Sequence, residues 1–539
     1  MAIVFKIFIS LILVASCIGG EKNSKWYNFR IYPSNVTQSE TFIVRHPIQP
    51  QILFACANTI NLSTGFISEG IYVSTDAGVN WYGSDTCKGA PINFHRGDPG
   101  IAIDKNGTFI LIRLGFIPGL YSHYSTDNGV SWSIQKQIAS EDQDRAALIS
   151  DVIPTSNYYG RTYAIWVQFS PPFPVVFSYT DDGAKNWTQP KQVNSPVQRC
   201  QGGDAAIGPE GQIYACWAGV IPTSPFTEDF VGFAYSTSGG DSWIVKENII
   251  DINGIAGVLN QKANIRVNGL PRIDVDKSNG PRKGYIYIVT TQINNTPAGN
   301  DPDIILYRST NQGLSWSSGI RVNQDPLNNG KIQYFPAIHV DDLGGINIIF
   351  YDDRNTTSDS TGVFLARSTD GGETWNEYEI SDHNFKPQPI GGLGQGYQGD
   401  NINITSSGNI ILPVWMDNST GIYQIWTCRI NFIELDIREE FNNIYAYQLY
   451  QNYPNPFNNS TNIQYTLNEA GYVSIKVYNL FGQLIKNFFE GYKIAGIYNF
   501  IFDGTELASG VYYYKLSVLQ ENILNNQTPG FTRRMILVK

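Results

Sequence analysis

Acidic and arginine side chains recur in this chain directly before a repeated pair of apolar strands. The predicted pairs begin near residues 40, 98, 146, 204, 271, 336 and 400. The charged residues at these starts are Glu40, Asp98, Asp144, Arg145, Asp204, Arg272 and Asp400. Two carboxyl groups at a fixed separation can serve glycoside hydrolysis, one as proton donor and one as base or nucleophile. Arginine guanidinium groups can bind a substrate carboxylate through paired hydrogen bonds.

The same acids have a second interpretation. They could bond the amides of neighbouring strands, or hold a Ca²⁺ ion through oxygen ligands. Hydrolysis by paired acids requires no cofactor. The sequence contains no C-x-x-C pair and therefore no zinc motif of that type. Calcium is thus the only metal that this pattern suggests.

Aromatic residues occupy matching positions where the second strand of a pair ends. They are Trp166, Trp217, Tyr351 and Trp415, and Tyr351 is followed by Asp352. Aromatic faces at a pocket would suit stacking on sugars, and they suit packing between sheets equally well. Trp217 and Trp415 are therefore candidate substrate-binding residues with a structural alternative.

The strands that must position these residues are separated by a repeated turn. Five copies follow the pattern Ser-Thr-x-x-Gly-x-x-Trp, at 74–81, 125–132, 236–243, 309–316 and 368–375, and the copy at 179–187 carries one extra residue. An Asp in such a turn bonds nearby amides, Gly takes a positive φ, and Trp packs beneath the hairpin. We predict purely structural roles for Asp76, Asp127, Asp181 and Asp370.

This repeat resembles the Asp-box (BNR) motif of sialidase-like β-propellers. The resemblance implies an all-β propeller over residues 24–433. Counting strand pairs favours seven blades, with six as the alternative. The seventh pair lacks an outer strand, which Trp26–Tyr32 could supply to close the ring and hide the sheet edges.

The resemblance also implies an active site. Sialidases use three arginines on the substrate carboxylate, a Tyr/Glu nucleophile pair and an Asp acid/base. The matching candidates are Arg30, in an interrupted Phe-Arg-Ile-Pro motif, with Arg145, Arg272, Asp98, Glu40 and Tyr351. The chain is thus expected to be an exo-glycosidase acting on terminal sugars. The alternative is a non-catalytic propeller that binds glycans or proteins, as an adhesin or lectin does.

Charge and the first residues indicate where the protein works. A net charge of −10, without a basic cluster, argues against nucleic acid as a partner. Residues 1–20 read as a signal peptide, and the sequence around Cys17 resembles a lipobox. No later apolar run is long enough to span a membrane. Outside the cytoplasm disulfides are allowed, with Cys56–Cys87 and Cys200–Cys216 as local candidates.

The last ninety or so residues differ from the rest. After a linker at 434–448, the segment 449–539 reads as a small β-sandwich with short strands. Its Asn455-Pro-Phe, Leu507-Ala-Ser-Gly-Val-Tyr and terminal Arg534-Met-Ile-Leu-Val-Lys motifs resemble the C-terminal sorting domain of type IX secretion cargo. The resemblance implies the type IX secretion machinery as a partner, and a secreted or cell-surface protein of a Bacteroidetes-like bacterium.

Overall fold

The computed structural model describes residues 26–432, 435, 447–467, 470–519 and 531–539. The predicted signal peptide, with Cys17, lies outside the described residues, as does most of the predicted linker. The chain divides into two compact units, Met1–Ile430 and Asn431–Lys539. No helix within the described ranges is long and apolar enough to cross a membrane.

Among the described residues, the first unit is built from six antiparallel sheets of four strands, one of five strands and an inserted two-stranded hairpin. β1 (Phe29–Arg30) joins the last sheet, and the others follow chain order. The first sheet contains β2 (Thr37–Arg45), β3 (Leu53–Asn61), β4 (Phe66–Ser74) and β5 (Tyr82–Ser84). The second contains β6 (Gly100–Ile103), β7 (Phe109–Leu114), β8 (Gly119–Ser125) and β9 (Lys136–Ser140). The third contains β10 (Ala147–Ser150), β11 (Thr162–Val167), β12 (Val175–Thr180) and β13 (Lys191–Gln192).

The fourth sheet contains β14 (Cys200–Ile207), β15 (Ile213–Val220), β16 (Glu228–Ser236) and β17 (Ile244–Asp251). An inserted hairpin, β18 (Gly257–Leu259) and β19 (Ile265–Val267), follows it. The fifth contains β20 (Arg272–Val275), β21 (Ile286–Gln292), β22 (Asp303–Ser309) and β23 (Ile320–Arg321). The sixth contains β24 (Gln333–Val340), β25 (Ile346–Asp352), β26 (Gly362–Ser368) and β27 (Asn376–Glu379). Two short 3₁₀ helices, Ile92–Phe94 and Asn260–Lys262, lie between strands.

The seventh sheet joins the two ends of this unit. It contains β28 (Asn403–Ser407), β29 (Ile410–Asp417) and β30 (Gln424–Thr427), and β31 (Ile430–Asn431) follows. β1 pairs with β30, with Phe29 opposite Thr427 and Arg30 opposite Trp426. The amino-terminal strand thus supplies the outer strand of this sheet, as the sequence predicted.

The sheets are arranged as a closed ring around their innermost strands. These strands are β2, β6, β10, β14, β20, β24 and β28; each contacts the next, and β28 contacts β2. Apolar clusters join neighbouring sheets, as where Phe233 of the fourth packs with Ile288 and Ile305 of the fifth. The predicted all-β propeller is therefore confirmed, and seven sheets form its ring.

The second unit is a two-sheet β-sandwich. One sheet contains β32 (Tyr447–Leu449), β33 (Ser460–Leu467) and β36 (Gly496–Asp503). The other contains β34 (Gly471–Tyr478), β35 (Leu484–Lys493), β37 (Gly510–Leu519) and β38 (Phe531–Leu537). Alternate residues of the two sheets, among them Ile463, Ile475 and Tyr514, share one buried core. The predicted sandwich of short strands is present.

Candidate functional site at the mouth of the propeller

The candidate site lies where the innermost strands begin, an end of the ring that we call the mouth. Glu40 and Asp98 have φ angles of 52° and 57° there. The pairing of β2 with β3 shifts register between Ser39 and Phe42, so Glu40 lies in a bulge. A bulge redirects a side chain away from the regular alternation. Positive φ in a non-glycine residue is strained, and such residues cluster at functional sites.

Glu40 is paired with a tyrosine. The Tyr397 hydroxyl donates a hydrogen bond to Glu40 Oε1 at 2.8 Å. Asn401 Nδ2 donates to the other carboxylate oxygen at 3.4 Å. The same tyrosine oxygen accepts a hydrogen bond from Asn58 Nδ2 at 3.1 Å. These contacts fix the phenol oxygen against the carboxylate.

Asp98 is held by the same asparagine. The backbone amide of Asp98 donates a hydrogen bond to Asn58 Oδ1 at 2.7 Å, and Asn58 Nδ2 donates one to Asp98 Oδ1 at 3.3 Å. Buried Glu69 accepts a hydrogen bond from the preceding amide, that of Gly97, at 2.9 Å. Asp98 and Asp144 both line a cavity of about 400 Å³. A carboxyl group therefore faces open space directly beside the Tyr397–Glu40 pair.

Three arginines lie around this group. Arg266 binds both carboxylate oxygens of Asp400, and its guanidinium lies 5.1 Å from the Tyr397 ring centroid. Arg272 donates to Asn401 Oδ1, so Asn401 connects Arg272 to Glu40. Arg145 lies 4.6 Å from the ring centroid of Phe42 and donates to the Gly203 carbonyl at 3.5 Å.

Crowded carboxyl groups shift the protonation of the site. Burial raises the pKa of Glu40 well above its usual range, and the charges of Asp98 and Asp400 raise it further. Burial and the charge of Asp144 raise the pKa of Asp98 to about 6. Burial, followed by the charge of Glu40, also raises the pKa of Tyr397, which keeps its hydroxyl protonated. The site thus holds a carboxyl group able to donate a proton near neutral pH.

Most of the residues predicted from the sequence come together here. Asp204 accepts a hydrogen bond from the Ile273 amide at 3.2 Å. Burial raises the pKa of Asp204, and the charges of Arg272 and Arg145 oppose this. The predicted residues that the structure assembles at the mouth are Glu40, Asp98, Asp144, Arg145, Asp204, Arg272 and Asp400.

Three predicted residues lie elsewhere. Tyr351 is buried and donates its hydroxyl hydrogen bond to the Met416 carbonyl at 2.6 Å, so it packs between sheets. Asp352 accepts a hydrogen bond from Arg354 Nε, and the two terminal nitrogens of Arg354 donate to the carboxylate of Glu377. Arg30 lies on β1, the outermost strand of the seventh sheet. We therefore leave Tyr351, Asp352 and Arg30 out of the candidate site.

The two predicted tryptophans belong to the core. Trp217 and Trp415 are fully buried, as is Trp166 at the matching position. A Cβ on Gly232 would lie 2.1 Å from the Trp217 ring, so the indole packs directly on backbone. Trp415 Nε1 donates to Asp417 at 3.3 Å. Both tryptophans therefore pack in the core, and neither ring is exposed for stacking on a sugar.

Two residues of the site were missed because they lie outside the strand pairs. Arg266 is on the inserted strand β19, and Tyr397 lies in the glycine-rich segment 391–399 before the seventh sheet. The Arg266 amide donates to the Gly396 carbonyl at 2.7 Å, which joins the two insertions. The run of glycines directly before Asp400 is the signal in the sequence that could have located Tyr397.

The repeated turns have the predicted internal bonding. Asp76 Oδ1 accepts hydrogen bonds from the amides of Val79 and Asn80 at 3.1 and 2.8 Å, and from Ser74 Oγ at 2.9 Å. Gly78 has a φ of 81°. Asp127 and Asp370 make equivalent bonds within their own turns. These carboxylates stabilise turns at the ends of third strands and take no part in the mouth cluster.

The turn near residue 182 corrects one prediction. Asp182, not Asp181, accepts the turn hydrogen bonds, from Thr180 Oγ1 and from the Asn186 amide, both at 2.9 Å. Ala184, with a φ of 67°, occupies the position that glycine fills in the other turns. No extra residue is therefore present. Asp181 instead forms an exposed ion pair with Arg161.

Five cysteines lie among the described residues. Cys56, Cys87, Cys200, Cys216 and Cys428 are buried free thiols, so the two local disulfides are not formed. Over the described residues, no group of three or more His, Cys, Asp or Glu is arranged to hold a metal ion. Carboxyl groups of the mouth pair with arginines and amides, as Asp400 does with Arg266 and Asp204 with the Ile273 amide.

Comparison with known families identifies the second unit. Residues 451–526 match the family described as "Secretion system C-terminal sorting domain". The sorting domain predicted from the sequence is thereby confirmed. The protein is secreted or at the cell surface of a Bacteroidetes-type bacterium, as predicted. No curated protein matches the chain.

Solved structures with a similar fold include several propellers. An ulvan lyase of a new polysaccharide lyase family, bound to a sulfated disaccharide unit, shares 12% identity over 74% of this chain and 98% of its own, with a TM-score of 0.46. An α-L-arabinanase from Penicillium chrysogenum shares 15% over 64% and 98%, with a TM-score of 0.41. The NanB sialidase from Streptococcus pneumoniae shares 10% over 66% and 71%, with a TM-score of 0.41. Identities this low speak to the fold alone.

Proposed function

We propose that this chain is a secreted or cell-surface glycan-active propeller, and specifically a sialidase-like exo-glycosidase that retains anomeric configuration. One observation carries the proposal: Tyr397 donates a 2.8 Å hydrogen bond to Glu40 beside Asp98. A phenol is a poor nucleophile at neutral pH, and an adjacent carboxylate acting as base activates it.

The proposed reaction has two displacement steps. Glu40 takes the proton of Tyr397 as the phenol oxygen attacks the anomeric carbon, and Asp98 gives its proton to the departing glycosidic oxygen. The ionised Asp98 then takes a proton from a water molecule, which attacks the anomeric carbon of the glycosyl–tyrosine. Glu40 returns the first proton to Tyr397. All three residues end as they began, and the sugar is released with its configuration retained.

The arginines have a binding role in this proposal. Arg145, Arg266 and Arg272 surround the pair with positive charge, and a fork of two N–H groups matches an anionic oxygen pair. Arg266 and Arg272 are bonded to Asp400 and Asn401. An anionic group of the substrate would therefore replace Asp400 or Asn401 as the acceptor of these arginine hydrogen bonds. Asp400 holds Arg266 through paired hydrogen bonds, and the charges of Asp144 and Asp204 attract the neighbouring arginines.

The direct test is sugar release by the full secreted chain. A panel of glycoconjugates with different terminal sugars, sialylated ones included, is incubated with the protein, and released monosaccharide is quantified. A substrate that carries fluorine on the carbon next to the anomeric centre should trap a covalent adduct, which mass spectrometry should place on Tyr397. Absence of release from every glycan, by protein shown to be folded by circular dichroism, would overturn the hydrolase proposal.

The second candidate function is glycan binding without chemistry. The existing Arg266–Asp400 and Arg272–Asn401 contacts favour it, because fully paired arginines are also what a rigid binding surface requires. Glycan-array binding that persists in Tyr397→Phe and Glu40→Gln variants, without any turnover by the wild type, would support this function. Turnover that both substitutions abolish would exclude it.

A further inference from the structure

Arg199 is held in a frame of three phenylalanines. Its guanidinium carbon lies 4.7 Å from the ring centroid of Phe169, 4.5 Å from that of Phe173 and 4.3 Å from that of Phe226. Cation–π attraction holds a guanidinium over ring faces without consuming its N–H donors. The Phe frame, meaning these three rings, therefore positions a charge and leaves its hydrogen bonds available.

The Arg199 guanidinium makes no hydrogen bond to any residue that the structure describes. Its Nε atom is buried and lacks a partner. Arg161 provides the contrast, since it too lies on aromatic rings, 3.7 Å from the Tyr179 centroid. All three of its guanidinium nitrogens nevertheless donate hydrogen bonds, two to the Asp181 carboxylate and one to the Gly239 carbonyl. Buried donors without partners are costly and require an explanation.

The frame is built from a repeated turn. The Phe173 amide donates to the Ser170 carbonyl, and the Phe226 amide to the Thr223 carbonyl, each at 2.8 Å. Both phenylalanines have positive φ, 59° and 63°. The fifth sheet has the same hydrogen bond, with Ala298 donating to the Asn295 carbonyl at 2.8 Å, but Ala298 does not share the positive φ of the two phenylalanines. The hydrogen bond of this turn thus forms without an aromatic residue.

Arg199 lies at the mouth. It directly precedes β14, an innermost strand, and Phe169 lines the cavity of about 400 Å³ together with Asp98 and Asp144. Burial lowers the pKa of Arg199, and the nearby charge of Asp144 opposes this. Arg199 therefore lies close enough to Asp144 to be affected by its charge, and Asp144 lines the cavity together with Asp98, the proposed proton donor.

We infer that Arg199 and its Phe frame form an anion-binding subsite, which holds a carboxylate or sulfate group of an acidic carbohydrate beside the sugar that reacts. The N–H groups on the two terminal nitrogens, which lie beyond the buried Nε, match the paired oxygens of either group. The subsite uses an arginine outside the Arg145, Arg266 and Arg272 cluster, although the charges of Arg145 and Arg199 both act on Asp144. The inference rests on the proposed function for the carbohydrate, while the anion is assigned by Arg199 alone.

The test measures binding and does not depend on turnover. Full-length protein carrying Tyr397→Phe is titrated by calorimetry with dextran sulfate and with dextran, and with polygalacturonate and its methyl ester. Each pair differs in the anionic group. We expect an acidic polymer to bind more tightly than its neutral partner, and Arg199→Met to weaken that binding about tenfold, as the loss of a charge-assisted hydrogen bond does.

Two matched variants separate the subsite from general charge effects. Arg161→Met removes the same charge from an arginine that is also stacked on rings, and it should leave the affinity unchanged. Phe226→Ala removes one ring of the Phe frame and should reproduce part of the Arg199→Met loss. Preference for only the sulfated or only the carboxylated polymer identifies the group that is bound.

Several outcomes would overturn the inference. It fails if neither acidic polymer binds, if esterified and neutral polymers bind as well as acidic ones, or if Arg161→Met weakens binding as much as Arg199→Met. Failure of the hydrolase proposal is a different result, because it appears as absent sugar release while Arg199-dependent binding persists.

Discussion

Tyr397 and Glu40 are joined by a 2.8 Å hydrogen bond although 357 positions separate them in the chain. Glu40 lies in the bulge of β2, and Tyr397 lies directly before the seventh sheet. The innermost strands of these two sheets, β2 and β28, contact each other. The pair therefore exists only where the ring closes, and it brings a base and a hydroxyl together at the mouth.

Substitution of either member of this pair should abolish turnover while the fold is retained. Tyr397→Phe removes the nucleophile, and Glu40→Gln removes its base, so each should lower kcat by roughly 10²–10⁴-fold. The measurement is sugar release under saturating substrate. Tyr351→Phe is the control, because its hydroxyl contacts only backbone of the seventh sheet. If Tyr351→Phe lost as much activity as Tyr397→Phe, the assignment would be wrong.

The pH profile should report Asp98. Burial and Asp144 raise the pKa of Asp98 to about 6. A proton donor works in its protonated form, so kcat/KM should fall as pH rises through about 6. Asp98→Asn should lower the rate and remove this alkaline limb. Activity that instead rises through the same range would mean that Asp98 acts first as a base.

His383 should make the propeller less stable at high pH. Its Nδ1 lies 2.6 Å from Asp382, and its Nε2 lies 3.1 Å from both Asp417 and Ser419. Burial lowers the pKa of His383, but Asp417 and Asp382 raise it above the ordinary 6.5. The stabilisation is complete below pH 6.5 and is lost as pH rises through the higher folded-state pKa.

Thermal unfolding across this pH range tests the His383 prediction. The Tm of the wild type should decline on the alkaline side of 6.5, and His383→Asn should flatten that decline. His46→Asn is a suitable control, since burial lowers the pKa of His46 instead. An identical pH dependence in wild type and His383→Asn would contradict the prediction.

The adjacent residues Asp181 and Asp182 should contribute differently to the free energy of unfolding. Asp182→Ala removes bonds to the Thr180 hydroxyl and the Asn186 amide and should destabilise the protein by about 1 kcal/mol. Asp181→Ala removes only an exposed ion pair with Arg161 and should cost less than about 0.5 kcal/mol. Denaturant unfolding of both variants measures the difference. If Asp181→Ala were the more destabilising substitution, Asp181 rather than Asp182 would be the residue that stabilises the turn.

The sequence was informative wherever a local pattern repeats. The turns around Asp76 and Asp127 and the closing strand at Phe29–Arg30 could be predicted, because short-range bonding and strand counting determine them. The acids at the starts of the innermost strands were found for the same reason. Propeller periodicity places equivalent positions at one end of the ring.

What could not be predicted depends on insertions and on burial. Arg266 and Tyr397 lie on segments that interrupt the repeat, so no equivalent position in another sheet indicated them. Trp217 and Tyr351 have the residue type of a sugar platform, and only the packing of adjacent sheets shows that they are buried. The free guanidinium of Arg199 likewise depends on which rings two distant turns bring to it.

The pairing of β1 with β30 has a consequence for export. The ribosome makes Phe29–Arg30 early and Gln424–Thr427 about four hundred residues later, so the ring cannot close until nearly the whole propeller has been synthesised. A chain that terminates before residue 424 leaves a bare sheet edge, which invites aggregation. The sorting domain is synthesised only after the closing partner. Any polypeptide that carries the sorting domain therefore also carries every strand that the closed ring requires.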